Sequence, residues 1–298
     1  MILQQWINGL TLGSLYALIA LGYTMVYGVL LMINFAHSEI FMAGAFAACL
    51  MLRLSWVAQA GLLGLGVAVI AALVVSAVLA ILMERLAYRP LRRASRLAPL
   101  ISAIGVSIFL QNAAFLLISN ESVAVPELFG PTPWHWGPVD VHPIQVLILG
   151  VTLVLLIGLH LFVNRTRLGT AIRAISQDAP TASLMGVPVN RMIALTFFIG
   201  GGLGGVAGAL NGLYYGSIKY NMGFVPGMKA FTAAVLGGIG NVSGAMAGGF
   251  LLGLIESFAA GLLPNGSDWK DVIAFSILIL VLLFRPSGLF GRHVAEKV

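Results

Sequence analysis

Apolar runs alternate with short polar ones along all 298 residues of the chain. Nine of these runs read as helices: Trp6–Met32, Phe35–Leu52, Val57–Met83, Ala98–Ile118, Ile144–Val163, Met192–Leu213, Pro226–Gly238, Ser243–Leu263 and Lys270–Phe284. A helix needs about 20 apolar residues to cross the hydrocarbon of a bilayer. The second and seventh runs are shorter or glycine-rich, which fits re-entrant or broken helices, so the pattern predicts eight or nine spans. Non-helical backbone at that depth is tolerated where protein or a water-filled cavity surrounds it. The expected fold is an all-α polytopic integral membrane protein, with residues 1–298 forming a single transmembrane domain. Two longer polar segments interrupt it, at about 119–143 and 164–191.

Composition supports the same class. Hydrophobic residues make up 59% of the chain and charged residues 9%; a soluble domain carries roughly 25% charged residues. The mean hydropathy is +1.00. The net charge of +6 sits in separate short loops, so no continuous basic face and no nucleic-acid partner is implied. Cys49 is the single cysteine, which rules out an intrachain disulfide. The first run has no Lys or Arg before it and is about as long as a full span, so it reads as a span and not as a cleavable signal peptide.

The basic residues orient the spans. Arg85, Arg89, Arg92, Arg93 and Arg96 lie between the third and fourth runs, Arg165, Arg167, Arg173 and Arg191 between the fifth and sixth, and Arg285, Arg292 and Lys297 after the ninth. With the spans as drawn, these twelve of the sixteen Lys and Arg share one face. The other face holds Arg53, Lys219 and Lys270 with Glu121, Glu127, Asp140 and Asp268. Arginine excess marks the cytoplasmic side, placing the N-terminus outside and the C-terminus inside. The segment Ser119–Pro143 becomes an external loop. Its prolines, among them Pro131 and Pro138, and its Trp134 and Trp136 suit an irregular cap with interfacial aromatic anchors.

The cytoplasmic segment 164–191 has the grammar of two short helices. Leu168, Ala171, Ile172 and Ile175 fall on one face of an amphipathic turn set. Asp178 is placed to cap a second helix, Ala179–Met185, with Pro180 in its first turn and Gly186 and Pro188 ending it. An ordinary connector needs only a few residues. A structured loop of this length favours a docking surface for a soluble partner over a plain connector.

No phosphate-binding loop, His-Glu-x-x-His, Gly-x-Ser-x-Gly or Cys/His cluster occurs. The sequence therefore offers no catalytic set, no metal site and no usual device for binding ATP. Ionisable residues inside spans are functional candidates. Asn34, His37, Ser38 and Glu39 cluster at the inner start of the second span, as a substrate-path or gating site or as a polar network joining neighbouring helices. Lys229 and Glu256 have matching depths and are candidates for a structural ion pair. Asn241 is placed to cap the eighth helix, and Gln111 and Asn112 to bridge helices. Glycines recur four apart at Gly200, Gly204, Gly208 and Gly212, at Gly240, Gly244 and Gly248, and at Gly9 and Gly13. That spacing lets helix backbones approach closely in lipid, for packing or for sliding. A loose internal echo links Phe41–Ala48 with Phe231–Gly238.

The segments Asn8–Ala17 (NGLTLGSLYA), Ile33–Glu39 (INFAHSE), Ala194–Phe197 (ALTF) and Gly227–Gly240 (GMKAFTAAVLGGIG) resemble the branched-chain amino acid ABC transporter permeases, of the LivH type, from about Gln5 to the C-terminus. The resemblance implies a multi-pass importer subunit of a bacterial inner membrane, with a periplasmic N-terminus and a cytoplasmic C-terminus. Its partners would be a second, unlike permease, two ATPase subunits and a periplasmic substrate-binding protein, in addition to membrane lipid. ATP and Mg would be bound by the ATPase subunits and not by this chain. The substrate implied is leucine, isoleucine or valine; related permeases carry amides, urea or other small solutes. A self-sufficient secondary transporter and a membrane-embedded enzyme are the rival classes. The wider permease pattern Glu-Ala-Ala-x-x-x-Gly is matched in the coupling loop only at Ala182 and Gly186, in the frame Pro180-Thr181-Ala182. The resemblance makes Asp178 and Arg191 further ATPase-contact candidates.

Overall fold

The computed structural model describes residues 2–291 except 93, 96, 129, 131, 138 and 286. Arg93, Arg96, Pro131, Pro138, Arg292 and Lys297, used above, lie outside the described residues. Each of the nine apolar runs carries a helix. Among the described residues, six helices are long and apolar enough to cross a membrane: α1 (Ile2–Leu30), α4 (Leu62–Met83, continued by a π-helical turn to Tyr88), α5 (Leu97–Leu117), α6 (Pro143–Arg165), α9 (Val189–Tyr215) and α11 (Val242–Leu262). Two shorter apolar helices are α2 (His37–Leu52) and α10 (Phe224–Gly237). The last, α12 (Gly266–Phe284), begins with Asp268, Lys270 and Asp271. The third run departs from the expected single span. Its start forms a separate short helix, α3 (Ser55–Gln59), and the chain turns at Gly61, whose φ of +56° favours glycine.

Helices α1 and α9 form the centre, and glycine lets them do so. Gly22 of α1 lies against Gly200 of α9. On other faces of α9, Gly201 and Gly205 meet Ala80 and Ser76 of α4, and Gly208 meets the Phe41 carbonyl of α2. Gly249 and Gly253 of α11 press on Ala17 and Gly13 of α1. A Cβ on Gly200 would sit tightly at 3.2 Å, and at the other positions named it would overlap a neighbour, so much of the glycine pattern serves close packing. Helix α5 is the opposite case: Ile101, Phe109, Leu116 and Leu117 are largely exposed.

The polar segments segregate to two ends of the bundle. Residues 31–36, 84–92, 94–95, 164–190, 239–241, 285 and 287–291 share the arginine-rich end, where Arg92 donates to Asn190 Oδ1 at 2.7 Å and Asn241 Nδ2 to the Phe290 carbonyl at 2.9 Å. The described residues of segment 119–143 lie at the other end, where Gln4 Nε2 donates to the Asp140 carbonyl. It is more ordered than an irregular cap. Val123–Ala124 pairs with Ser217–Ile218, and Trp134–Trp136 forms an antiparallel hairpin with Val139–Val141.

The two short helices are broken at depth. At 1.5 Å per residue they span only about 24 Å and 21 Å, against ~30 Å of hydrocarbon. After α1 ends at Leu30, residues 31–36 climb back along it, and His37 starts α2 beside Gly22, about 12 Å inside the end of α1. Gly223 and Gly227 at the start of α10 lie against Ser38. The two N-termini thus meet inside the bundle. Helices α1, α2, α4 and α5 and helices α9, α10, α11 and α12 repeat one order, long, short, long, long, in opposite orientation. In that arrangement α1 packs on α11 as α9 packs on α4. The echo of Phe41–Ala48 in Phe231–Gly238 falls on the two short helices.

Candidate functional site

Three places gather the polar residues. The first is the elbow formed by α7 (Arg167–Gln177) and α8 (Ala179–Leu184). Thr166 caps α7 by accepting from Gly169 N at 3.0 Å. Ile172 and Ile175 are buried toward the bundle, while Leu168 is 45% exposed. Asp178 ends α7 and caps α8, accepting from Thr181 N at 3.0 Å and Thr181 Oγ1 at 2.5 Å. Those two bonds hold the exposed Asp178 carboxyl below its ordinary value. Gly186 takes φ +82° and turns the chain back toward α9. Asp178, Gly186 and Arg191 are exposed, but Ala182 is buried and turned inward. The apolar side chains that face out are Leu184 and Met185, 88% and 81% exposed. The sequence pattern did not single them out, although two adjacent large apolar residues before a glycine turn were the available signal.

Beside the elbow, Arg92 pairs with the buried Glu84 carboxylate as well as with Asn190. Burial pulls the Arg92 guanidinium below its ordinary value, against the opposing pull of Glu84.

The second place is a charge cluster roughly halfway along α1. Lys229 Nζ lies 2.8 Å from Glu256 Oε1 and 2.6 Å from Asp271 Oδ1. Tyr16 donates to Glu256 Oε2 at 2.8 Å. The cluster joins α1, α10, α11 and α12. Tyr16 and Asp271 were missed in the sequence, and Asp271, an acid inside the last predicted span, was the clue available.

The third place is a cleft of about 560 Å³ where α2, α5 and α10 meet. Tyr23, Ser38, Ser107, Gln111 and Asn221 supply its polar groups; Phe35, Ile108, Phe224 and Met228 are among its apolar ones. Glu39 lies behind this wall, fully buried. Ser38, Ser107 and Gln111 all donate to its Oε1. Gln111 thus bridges α5 to α2, whereas Asn112 bonds within its own helix, to the Ile108 carbonyl. The structure separates the remaining members of the Asn34–Glu39 cluster. Asn34 Oδ1 accepts from Tyr88 at 2.6 Å. His37 is wedged between α1 and α9 with its ring edge-on to Tyr23. His37 and Glu39 do not sit at the inner edge expected of them, because α2 begins well inside the bundle.

Taken together, the fold is that of a multi-pass membrane protein with two broken helices meeting at depth and an ordered elbow at one end, the outline of a transport subunit. Residues 5–282 match the family model described as the permease component of branched-chain amino acid transport systems, and the chain belongs to that family. It is 49% identical to the high-affinity branched-chain amino acid transport system permease protein BraD of Pseudomonas aeruginosa, over 99% of this chain and 98% of that one. It is 46% identical to the corresponding permease protein LivH of Salmonella typhimurium, over 99% and 97%. Among solved structures, PsaBC from Streptococcus pneumoniae in complex with Fab aligns at TM-score 0.49 and 14% identity, over 96% of this chain and 92% of that one.

Proposed function

We propose that this chain is the permease subunit of an ABC importer carrying leucine, isoleucine and valine across a bacterial inner membrane. The reading extends to partners: a second, unlike permease, two ATPase subunits that bind ATP and Mg, and a periplasmic substrate-binding protein. The arginine-rich end faces the cytoplasm and the Trp134–Trp136 hairpin the periplasm. What carries the reading is the elbow: a capped two-helix unit at the arginine-rich end that presents two apolar side chains to solvent. Closure of the ATPase dimer would press on this unit and move α6 and α9, which it joins, toward the other of two access states. Nucleotide shifts that equilibrium only through different affinity for the two states. The full-length similarity to BraD and LivH supports the choice of substrate. For a self-sufficient secondary transporter, Glu256 is already paired with Lys229, which leaves Glu39 as its coupling carboxylate; proton-gradient-dependent uptake by this chain alone would favour that reading.

The test is uptake by the assembled transporter in proteoliposomes. Deleting Ala179–Met185 is expected to abolish ATP-dependent leucine uptake while the chain still inserts and assembles with the second permease. Uptake that survives the deletion refutes the coupling role.

A further inference from the structure

Glu39 is a carboxylate that the protein surrounds with donors but leaves without a counter-charge. None of the described Lys, Arg or His side chains lies within ion-pair distance of it. Its Oε1 accepts from Ser38 Oγ at 3.1 Å, Ser107 Oγ at 3.0 Å and Gln111 Nε2 at 2.9 Å. Its Oε2 is buried with no hydrogen-bond partner. A buried charge is costly unless paired, so the Glu39 carboxylate is favoured when a cation lies beside it.

The donors determine what the cleft presents. A carboxylate only accepts. Ser107 therefore commits its single proton to Glu39, and Gln111 turns its NH₂ toward it. Ser38 divides its proton between Glu39 and the Phe35 carbonyl. All three line the cleft, and what they have left for a ligand is hydroxyl lone pairs and the Gln111 amide oxygen. This rim of acceptors, backed by negative charge, fits a cationic donor. Phe35, Ile104, Ile108 and Met228 make the rest of the lining largely apolar, and among the described residues no Asp, Glu, Lys or Arg lines the cleft. The N-terminal partial positive charge of α2 falls on Glu39 in its own first turn, while the N-terminus of α10 and the Asn221 amide suit a carboxylate. The volume of about 560 Å³ falls within the ~300–1,000 Å³ of small-ligand sites.

We propose that the cleft between α2, α5 and α10 is the station through which the amino acid passes in this subunit. Its ammonium group lies on the Ser38–Ser107–Gln111 rim and its aliphatic side chain on the Phe35–Ile104–Ile108–Met228 wall. Glu39 is a positioning residue that orients the rim and supplies the charge behind it. Asn34 and His37 do not line the station. The proposal rests on the branched-chain amino acid reading and names the residues that would select such a substrate.

The experiment uses the complete transporter, with both permeases, both ATPases and the binding protein, in proteoliposomes with saturating leucine or valine. Expected results are a loss of leucine uptake of at least tenfold in E39Q and in S107A/Q111A, with ATPase activity stimulated by loaded binding protein kept within twofold. M228W, which narrows the apolar wall, is expected to lower the leucine-to-valine rate ratio at least threefold, a change that a purely structural role would not produce. S107A/Q111A and M228W keep the test valid if E39Q does not fold. Wild-type uptake rates in S107A/Q111A, or equal effects of M228W on both substrates, overturn the proposal. A wild-type complex that imports no branched-chain amino acid overturns the parent reading and this one with it.

Discussion

Lys229 and Glu256 meet at 2.8 Å with side chains only 4% and 5% exposed, far from each other in sequence and on different helices. Because Tyr16 also donates to Glu256, the pair locks the broken helix α10 to α1 and α11. Removing Lys229 strands the buried Glu256 charge, at about 3–5 kcal/mol, and also leaves the part-exposed Asp271 without its partner. K229M is therefore expected to lower the melting temperature in detergent more than the double variant K229M/E256Q, whose neutral amide still accepts from Tyr16. Equal melting temperatures for the single and double variants would contradict the pairing.

The glycine faces make a contrast that a single type of substitution can test. A Cβ on Gly44 would overlap the backbone of Gly205, and one on Gly208 the carbonyl of Phe41, whereas one on Gly150 meets nothing within 4 Å. Gly→Ala in an open helix position gains roughly 0.5–1 kcal/mol, while forced overpacking costs typically 1–3 kcal/mol. G150A is expected to hold or raise thermal stability, and G44A and G208A to lower it and the yield of monodisperse protein. Three variants that behave alike would show that α2 and α9 are not locked by contact.

The same faces show what could be read from the sequence. Apolar length located all nine helical runs, and the basic residues sorted their ends. The amphipathic face of α7 was readable because water lies on one side of it, so Ile172 and Ile175 stand out from Arg173 and Ser176. Inside the bundle this signal disappears. Both faces of α9 are apolar or glycine, so the second contact surface at Gly201 and Gly205, although also four apart, did not stand out beside Gly200 and Gly204. The mid-depth start of α2 was equally hidden, because it depends on residues 31–36 folding back along α1. Only the proximity of His37 to Gly22 reveals it. Sequence proposed Glu39 and a helix-bridging Gln111 but not that the two meet, and it did not single out Ser107, which arrives from the same helix as Gln111.

Asp178 couples the elbow to pH in a defined direction. Its carboxyl is held below the ordinary value by Thr181, so the cap is fully formed above the ordinary carboxylate range of about 4. It is lost as pH falls through the lowered value. Hydrogen exchange at Thr181 N, corrected for intrinsic rates, is therefore expected to stay constant from pH 8 to pH 5. D178A should increase it across that range, with D178N in between. Equal exchange in D178A and the native chain would remove Asp178 as the organiser of α8.

Leu184 and Met185 decide whether the elbow is a docking surface or a connector. A connector gains nothing from two adjacent apolar side chains almost fully in water, and replacing exposed residues changes stability by only about 0.5 kcal/mol. A docked knob behaves differently, since a desolvated apolar side chain in a partner's groove is worth about 1.5–3 kcal/mol, and each ~1.4 kcal/mol is a factor of ten in affinity. L184D/M185D is therefore expected to leave insertion and melting temperature unchanged and to weaken ATPase association at least tenfold, measured by co-purification at graded subunit concentration and by leucine-stimulated ATP hydrolysis. A182G separates the alternatives: Ala182 is buried, so its change should loosen α8 and lower stability. If L184D/M185D assembles and couples like the native chain while D178A and A182G do not, the contact lies on the Asp178 side of α8 and the exposed pair is incidental.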